Sequence, residues 1–386
     1  MNSRKLFILS LVALGALVAG VWIASERSSS TLDEYSPLYP DLKKSLNDAK
    51  AVRVFKAGDE LAVELSREND AWRVQQREGY PADDAKLRAL LLGIADAELR
   101  EEKTSNPEQY ANLGVEDVSD PEASGLRIEV NGVEPAVNLI VGKRGPGAQS
   151  HYVRRAGDAQ SWLIDTDLDT SSAPQDWLRK SILDVSADRI QSANITTKGA
   201  KAYTAAKQSR ADADFAIDGI PKGKALNSPA AANGVATALA GLTLSDVRPA
   251  SAFDTKPEAQ ATYRTFDGLV IEADGWRQDA KHFVALKASY DESLAEQFKV
   301  ASADAQESAE GNTKSQSGGN QSPETRDSET QPTPEAAATT ETEGPTKPNV
   351  GEEATSLNAK VEGWVYEVPA YKYEALLKPL EDMLKE

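Results

Sequence analysis

AVRVFKAGDELAVELSRENDAWRV, residues Ala51 to Val74, decides the fold class of this chain. Val52-Arg53-Val54-Phe55, Leu61-Ala62-Val63-Glu64-Leu65 and Ala71-Trp72-Arg73-Val74 alternate between apolar and polar residues, with Gly58-Asp59 and Asn69-Asp70 between them. A period of two turns one side of each run toward a core, and the Gly/Asn/Asp pairs provide turns, so the stretch predicts an antiparallel meander. After Pro81, Leu87, Leu90, Leu91 and Ile94 recur at helical spacing and predict a helix with one apolar stripe. Asn106-Pro107 starts a short helix that Gly114 ends. Strands follow at 126–130, 137–141, 152–155 and 162–165, with Asn131-Gly132 as a hairpin turn. A closing helix is predicted from Pro174 through Trp177, Leu178 and Ile182. Farther on come strands from Ile190, a helix from Ser228-Pro229, hairpins through Phe283 and a last helix from Tyr371 to Leu384. The pattern is α+β with mainly antiparallel sheet, not a doubly wound α/β fold.

The second half repeats the first. Leu87, Leu91, Ile94, Leu99 and Arg100 align with Val235, Leu239, Leu242, Val247 and Arg248. Gly125-Leu126-Arg127-Ile128-Glu129-Val130 aligns with Gly268-Leu269-Val270-Ile271-Glu272-Ala273, His151-Tyr152-Val153 with His282-Phe283-Val284, and Ser161-Trp162-Leu163 with Gly363-Trp364-Val365. Matches in the same order predict two tandem related units, 28–187 and 188–386, each a mainly antiparallel sheet with packed helices.

Two segments stand apart from these units. Leu6–Ala24 is a run of 19 residues without charge; as a helix it spans about 28 Å, close to a hydrocarbon core of roughly 30 Å. Arg4 and Lys5 precede it, which predicts a transmembrane anchor in contact with the lipid bilayer, residues 1–27 including its cytoplasmic tip, and a periplasmic bulk. A cleaved signal peptide, with Val18 and Gly20 near the cut, is the competing reading. Residues 300–356 contain no Leu, Ile, Met, Phe, Tyr or Trp and carry a net charge of -8, so a disordered acidic linker inside the second unit is expected.

Composition narrows the chemistry. With 43 Lys+Arg against 61 Asp+Glu the formal charge is -18, the wrong sign for a general nucleic-acid binder. The absence of Cys excludes disulfides and thiolate chemistry, and two His leave little for a metal centre. Gly142-Lys143-Arg144-Gly145-Pro146-Gly147 lacks the order of a phosphate loop and reads as a flexible hairpin loop. Asp165, Asp167, Asp169 and Asp176 fall at calcium-loop positions, but Thr170 replaces the turn glycine and the final Glu is missing, so they read as solvated acids. His151 and His282 occupy matching repeat positions and read as surface residues at strand edges. Asp83-Asp84 and Glu101-Glu102 are the nearest to a glycosidase carboxylate pair, yet Asp83 sits where a helix cap belongs. Trp72, Trp162, Trp177, Trp276 and Trp364 read as packing residues rather than a sugar platform. No catalytic residue, metal ligand or cofactor is assigned, no enzyme activity is expected, and binding residues stay open.

Several motifs together resemble a known family: Tyr80-Pro81-Ala82-Asp83; Asn106-Pro107-Glu108 with Tyr110 and Leu113-Gly114-Val115; Asp176-Trp177-Leu178 leading to Leu183-Asp184; Phe266-Asp267-Gly268-Leu269; and Gly363-Trp364-Val365-Tyr366-Glu367-Val368-Pro369. In this order they resemble the bacterial domain of unknown function 4340, from about Ser45 onward except the linker. The family has no assigned catalytic residues. Its gene neighbourhoods, which include ABC exporter-like and gliding-motility-type auxiliary genes, imply a periplasmic accessory or scaffold protein associated with ABC-type transporter subunits. An envelope glycan- or lipid-binding module is the alternative, and a hydrolase stands behind both.

Overall fold

The computed structural model describes residues 36–147, 149–228, 230–299 and 349–385. Leu6–Ala24 and most of the acidic stretch, 300–348, lie outside the described residues. Among the described residues no helix is long and apolar enough to cross a membrane. By its contacts the chain divides into two units, Met1–Arg67 with Ala85–Ser172, and Glu68–Asp84 with Ala173–Glu386. The division is therefore not a single cut, because a short piece from within the first half belongs with the second.

In unit 1, β1 (Ala51–Lys56) and β2 (Glu60–Glu68) form an antiparallel hairpin. Val52 and Val54 turn inward and are wholly buried while Arg53 faces out, as the alternation requires. The next hairpin, β3 (Ala71–Val74) with β4 (Tyr80–Pro81), belongs to unit 2. Helix α1 (Asp84–Asp96) buries Leu87, Leu90, Leu91 and Ile94, the predicted stripe. It leads to β5 (Leu99–Glu102) at the far edge of the sheet. After the short helix α2 (Tyr110–Leu113), the chain returns beside β1 and meanders through β6 (Leu126–Asn131), β7 (Val137–Arg144), β8 (His151–Arg155) and β9 (Ser161–Ile164) until it meets β5. The unit 1 strands run β2-β1-β6-β7-β8-β9-β5, antiparallel throughout.

Unit 2 traces the same path. After β10 (Ser181–Leu183) come the hairpin β11 (Ile190–Thr197) and β12 (Tyr203–Ala206), the edge strand β13 (Ala216–Asp218), and helix α3 (Asn233–Ala236). Strand β14 (Leu242–Thr243) pairs with β10, and β15 (Asp246–Pro249) takes the far edge. The meander β16 (Ala259–Thr265), β17 (Leu269–Gln278) and β18 (Lys281–Tyr290) is followed by helix α4 at residues 292–299. Helix α5 (Val350–Val361) and β19 (Trp364–Val368) complete the circuit, and α6 (Ala370–Leu376) follows. The order β12-β11-β16-β17-β18-β19-β15 is that of unit 1 strand for strand, with β13 added outside β12. It matches His151 with the strand of His282 and Trp162 with that of Trp364, but it pairs β6 with β16. The alignment of Gly125–Val130 with Gly268–Ala273 is therefore one strand out of step; both segments are apolar-alternating strands, which similarity alone does not separate.

Four local expectations are corrected. The helix expected from Pro174 is a single tight turn, Pro174–Trp177, and Ile182 lies in β10. The amide of Asp83 donates to Trp177 O (2.7 Å) and that of Arg179 to Pro81 O (3.0 Å), which draws Leu178 into extended pairing. Among the described residues the helix expected from Ser228 shrinks to the four residues of α3, in a segment weakened by Gly234 within it and ended before Gly241, whose φ is positive. The last helix stops at Leu376, and a separate turn, Leu380–Met383, starts after Pro379. Finally, the end of the expected linker is ordered: the Asn349 side chain accepts from the Gly351 and Glu352 amides (2.7 and 3.3 Å) and caps α5. Glu353 of α5 forms a bidentate pair with Arg189, both contacts at 2.8 Å, and Ala354 is buried.

Candidate functional site

The acids at calcium-loop spacing act as a clasp. Asp165 accepts from the Glu98 amide (3.0 Å) and pairs with Arg100 of β5 (2.6 Å); Asp167 pairs with Arg144 of β7 (2.9 Å), and Asp169 with Lys86 of α1 (3.1 Å). Burial raises the Asp165 pKa, but the Glu98 amide and Arg100 outweigh it and hold the carboxyl below its ordinary value. Between them Leu168 is buried against Gly93 of α1, where a Cβ would sit 3.1 Å from its side chain. Alternating acids thus fasten one loop to three elements. Asp176 lies in the turn Pro174–Trp177. Among the described residues no group of three or more His, Asp or Glu is placed to hold a metal ion.

His151 is not a surface residue: it is 5% exposed, and its Nδ1 accepts from the Leu168 amide at 3.1 Å. His282 is half-buried and packs on the Tyr373 ring, 4.9 Å between centroids. Asp84 opens α1, and Glu101 and Glu102 lie on the edge strand β5, where Glu101 pairs with Lys103 (2.7 Å). Trp177 is wholly buried, and Trp364 meets Tyr80 edge-on at 5.1 Å. Gly142, Lys143 and Arg144, expected in a loop, are the end of β7. Gly142 has a physical reason to be glycine, since a Cβ there would overlap Leu113 O and stand 2.8 Å from Gly114 O.

That overlap marks the main difference between the units. In unit 1 the connection from β5 to β6, residues 103–125, crosses the outer face of the sheet and covers part of it, over β7 and β8: Tyr110 and Val115 bury Ile140, with Leu113, Tyr152 and Ala156 around them, while Asn138 on the same face of β7 stays exposed. Arg154, 2% exposed, pins this cover to β8. Its Nε donates to Val115 O (2.8 Å), Nη1 to Asp158 O (2.9 Å) and Nη2 to Asp117 Oδ1 (2.7 Å), with the guanidinium 4.5 Å from the Tyr110 ring centre. The other outward charges of this face are paired, Arg53 with Glu64 (2.8 Å) and Arg127 with Asp59 and Glu129 (3.2 and 3.4 Å).

In unit 2 the same connection is only residues 250–258, and it covers only one end of the face. Phe253 packs there on Trp276, Phe283 and Val365, and the Trp276 indole donates to Thr255 O (3.0 Å). Beside this aromatic cluster lies an open trough of about 350 Å³. Its register is direct: Asn194, Thr262, Glu272 and Lys287 stand in one row across β11-β16-β17-β18, and Thr196, Gln260, Asp274 and Ala285 in the next. Neighbours in a row are about 4.8 Å apart. Asn194 donates to Thr204 Oγ1 (2.9 Å) and Gln260 to Asp274 Oδ1 (2.7 Å). Glu272 and Lys287, opposite each other in register, take no side-chain partner among the described residues. The face offers two carboxylates, an ammonium, two amides and two hydroxyls on a four-strand platform, an arrangement for binding.

None of these residues stood out in the sequence, although the signal is present: Gln260, Thr262 and Arg264 alternate with Ala259, Ala261 and Tyr263, one face apolar and the other polar.

Fold and face together define the class: an α+β protein of two antiparallel sheets with one path, one outer face partly covered by its own chain and the other more open and polar. The chain belongs to the family described as Domain of unknown function (DUF4340), whose model matches residues 72–265, from β3 to the end of β16. No curated protein and no solved structure matches it significantly.

Proposed function

We propose that this chain is a non-enzymatic, membrane-anchored accessory or scaffold protein of the bacterial periplasm. Leu6–Ala24 is its anchor, the shared path of the two sheets reflects duplication of one unit, and the open outer face of unit 2 is where a protein of an ABC-type envelope transport complex docks. The supporting observation is the contrast between the faces: residues 103–125 cover the middle of the outer face in unit 1, whereas the short connection in unit 2 covers one end and leaves a trough where Glu272 and Lys287 take no side-chain partner among the described residues. A partner carrying opposite charges in matching register would engage both, and such complementarity gives specificity. Co-purification from gently solubilised membranes tests the reading. An ABC-type subunit is expected with the native chain and lost with Glu272→Lys/Lys287→Glu; recovery of the native chain without any transporter component counts against it. The hydroxyl and amide rows favour one second reading, an envelope glycan in the same trough. Chemical-shift changes confined to Asn194, Thr196, Gln260 and Thr262 on adding soluble envelope glycan fragments would support that instead.

A further inference from the structure

Asp167 Oδ1 is one of the few buried side-chain oxygens without a hydrogen-bond donor among the described residues, and it lies 3.3 Å from His151 Nδ1. That same Nδ1 accepts from the Leu168 amide, so its lone pair is occupied and the proton of the neutral ring is on Nε2. Two acceptors therefore face each other, and two neighbouring groups compete for one nitrogen. A buried carboxylate oxygen without a donor is costly.

We propose that His151 and Asp167 form a proton-operated latch on the clasp loop. A proton taken from solvent onto Nδ1 gives Asp167 Oδ1 its donor and takes the acceptor away from the Leu168 amide. Each protonation state satisfies one of the two groups and leaves the other without its partner. With the ring neutral, Leu168 is hydrogen-bonded and its side chain stays seated against Gly93 of α1. With the ring charged, the His151–Asp167 pair is a charge-assisted hydrogen bond, and the backbone at Leu168 is held only by packing.

The charged groups around the ring set the conditions. Asp167 favours the proton; Arg144, across the β7–β8 register from His151, opposes it while holding the other oxygen of Asp167. The remaining charges of the clasp are already paired, Asp165 with Arg100 of β5 and Asp169 with Lys86 of α1, and they keep the loop ends in place as its middle loosens. Burial of the ring lowers its pKa more than Asp167 and the Thr166 backbone raise it, so the latch works below the ordinary histidine range.

The test uses the full chain with nitrogen-15 in His and Leu, followed by NMR from pH 7.5 to 4.5. At pH 7.5 the His151 Nδ1 resonance should be of the unprotonated type. As His151 titrates, the protection factor of the Leu168 amide should fall by about tenfold, on the order of one lost hydrogen bond, while Val153 and Ile164 stay protected. His151→Gln keeps an acceptor for Leu168 without a titrating proton and should abolish the pH dependence. Should that variant not fold, Asp167→Asn removes the charge that attracts the proton and should move the transition to lower pH. An Nδ1 already protonated at pH 7.5, Leu168 protection unchanged through the titration, or a transition unmoved in Asp167→Asn would each overturn the proposal.

Discussion

Single residues decide how each face of the unit 1 sheet is closed. Arg154 carries three hydrogen bonds and a ring contact from an almost fully buried position, so Arg154→Ala should cost about 3 kcal/mol by urea denaturation. Arg154→Lys should restore only part, since an ammonium has no fork to reach Val115, Asp117 and Asp158 together. Titrating residues set the pH limits. His151 has a folded pKa below its unfolded value of about 6.5; the unfolded chain therefore takes up the proton first, and stability falls as pH drops from about 6.5 toward the folded pKa. His151→Gln should flatten that slope in thermal melts. The tyrosines act at the other end. Burial raises Tyr39, Tyr80, Tyr203, Tyr263 and Tyr366, and pushes Tyr373 up to about 12. The folded chain holds these protons longer than the unfolded one, so stability is level below about pH 10 and declines above it, by about 1.4 kcal/mol per pH unit for each tyrosine still protonated in the fold. Tyrosinate absorbance should appear together with loss of circular dichroism rather than before it.

At the scale of elements, α5 depends on its ends. Asn349→Ala removes both cap hydrogen bonds and should cost about 1 kcal/mol. Arg189→Ala should raise amide exchange across 350–361 while leaving β16 and β17 protected, because Arg189 joins Glu353 of α5 to Asp267 before β17. Which elements were legible in the sequence follows from what forms them. The strands of Ala51–Val74 and the stripe of α1 show, because one face of each is apolar at its own period. The cap of α5 was hidden inside a stretch almost empty of large apolar residues, where Asn349 and the acids Glu352 and Glu353 were the only marks of a helix start. The helix expected from Pro174 failed, and the one expected from Tyr371 ended early at Leu376, for the opposite reason: their apolar residues are buried, but by separate turns and strand pairing. The covered part of the unit 1 face left one readable trace, the unbroken apolar run Leu139-Ile140-Val141, since a strand buried on both sides does not alternate. The open face left a weaker one, because Thr, Asn and Gln on a strand look like any solvated side.

For the molecule as a whole, the acidic stretch is an excursion between two adjacent strands. Gly351 returns to within van der Waals reach of Tyr290, at 3.6 Å for a Cβ, so the chain re-enters unit 2 beside the end of β18. Replacing 303–345 by about ten Gly/Ser residues should leave the melting transition in place, with a gain of at most about 1 kcal/mol from the shorter loop. A drop of several degrees would mean that the excised residues contribute contacts of their own.

The position of β19 has a consequence in time. It lies between β18 and β15, pairing His282–Ala285 with Val368–Val365 on one side and Asp246–Pro249 on the other. Until the last part of the chain is made, β18 has one open edge and β15 has no neighbour in its sheet. At a ribosomal rate of roughly 5–20 residues per second, the nascent chain waits on the order of 4–16 s between finishing β18 and finishing β19. Throughout that interval unit 2 is an unfinished sheet with an unpaired edge, a template open to pairing with another chain until β19 fills it.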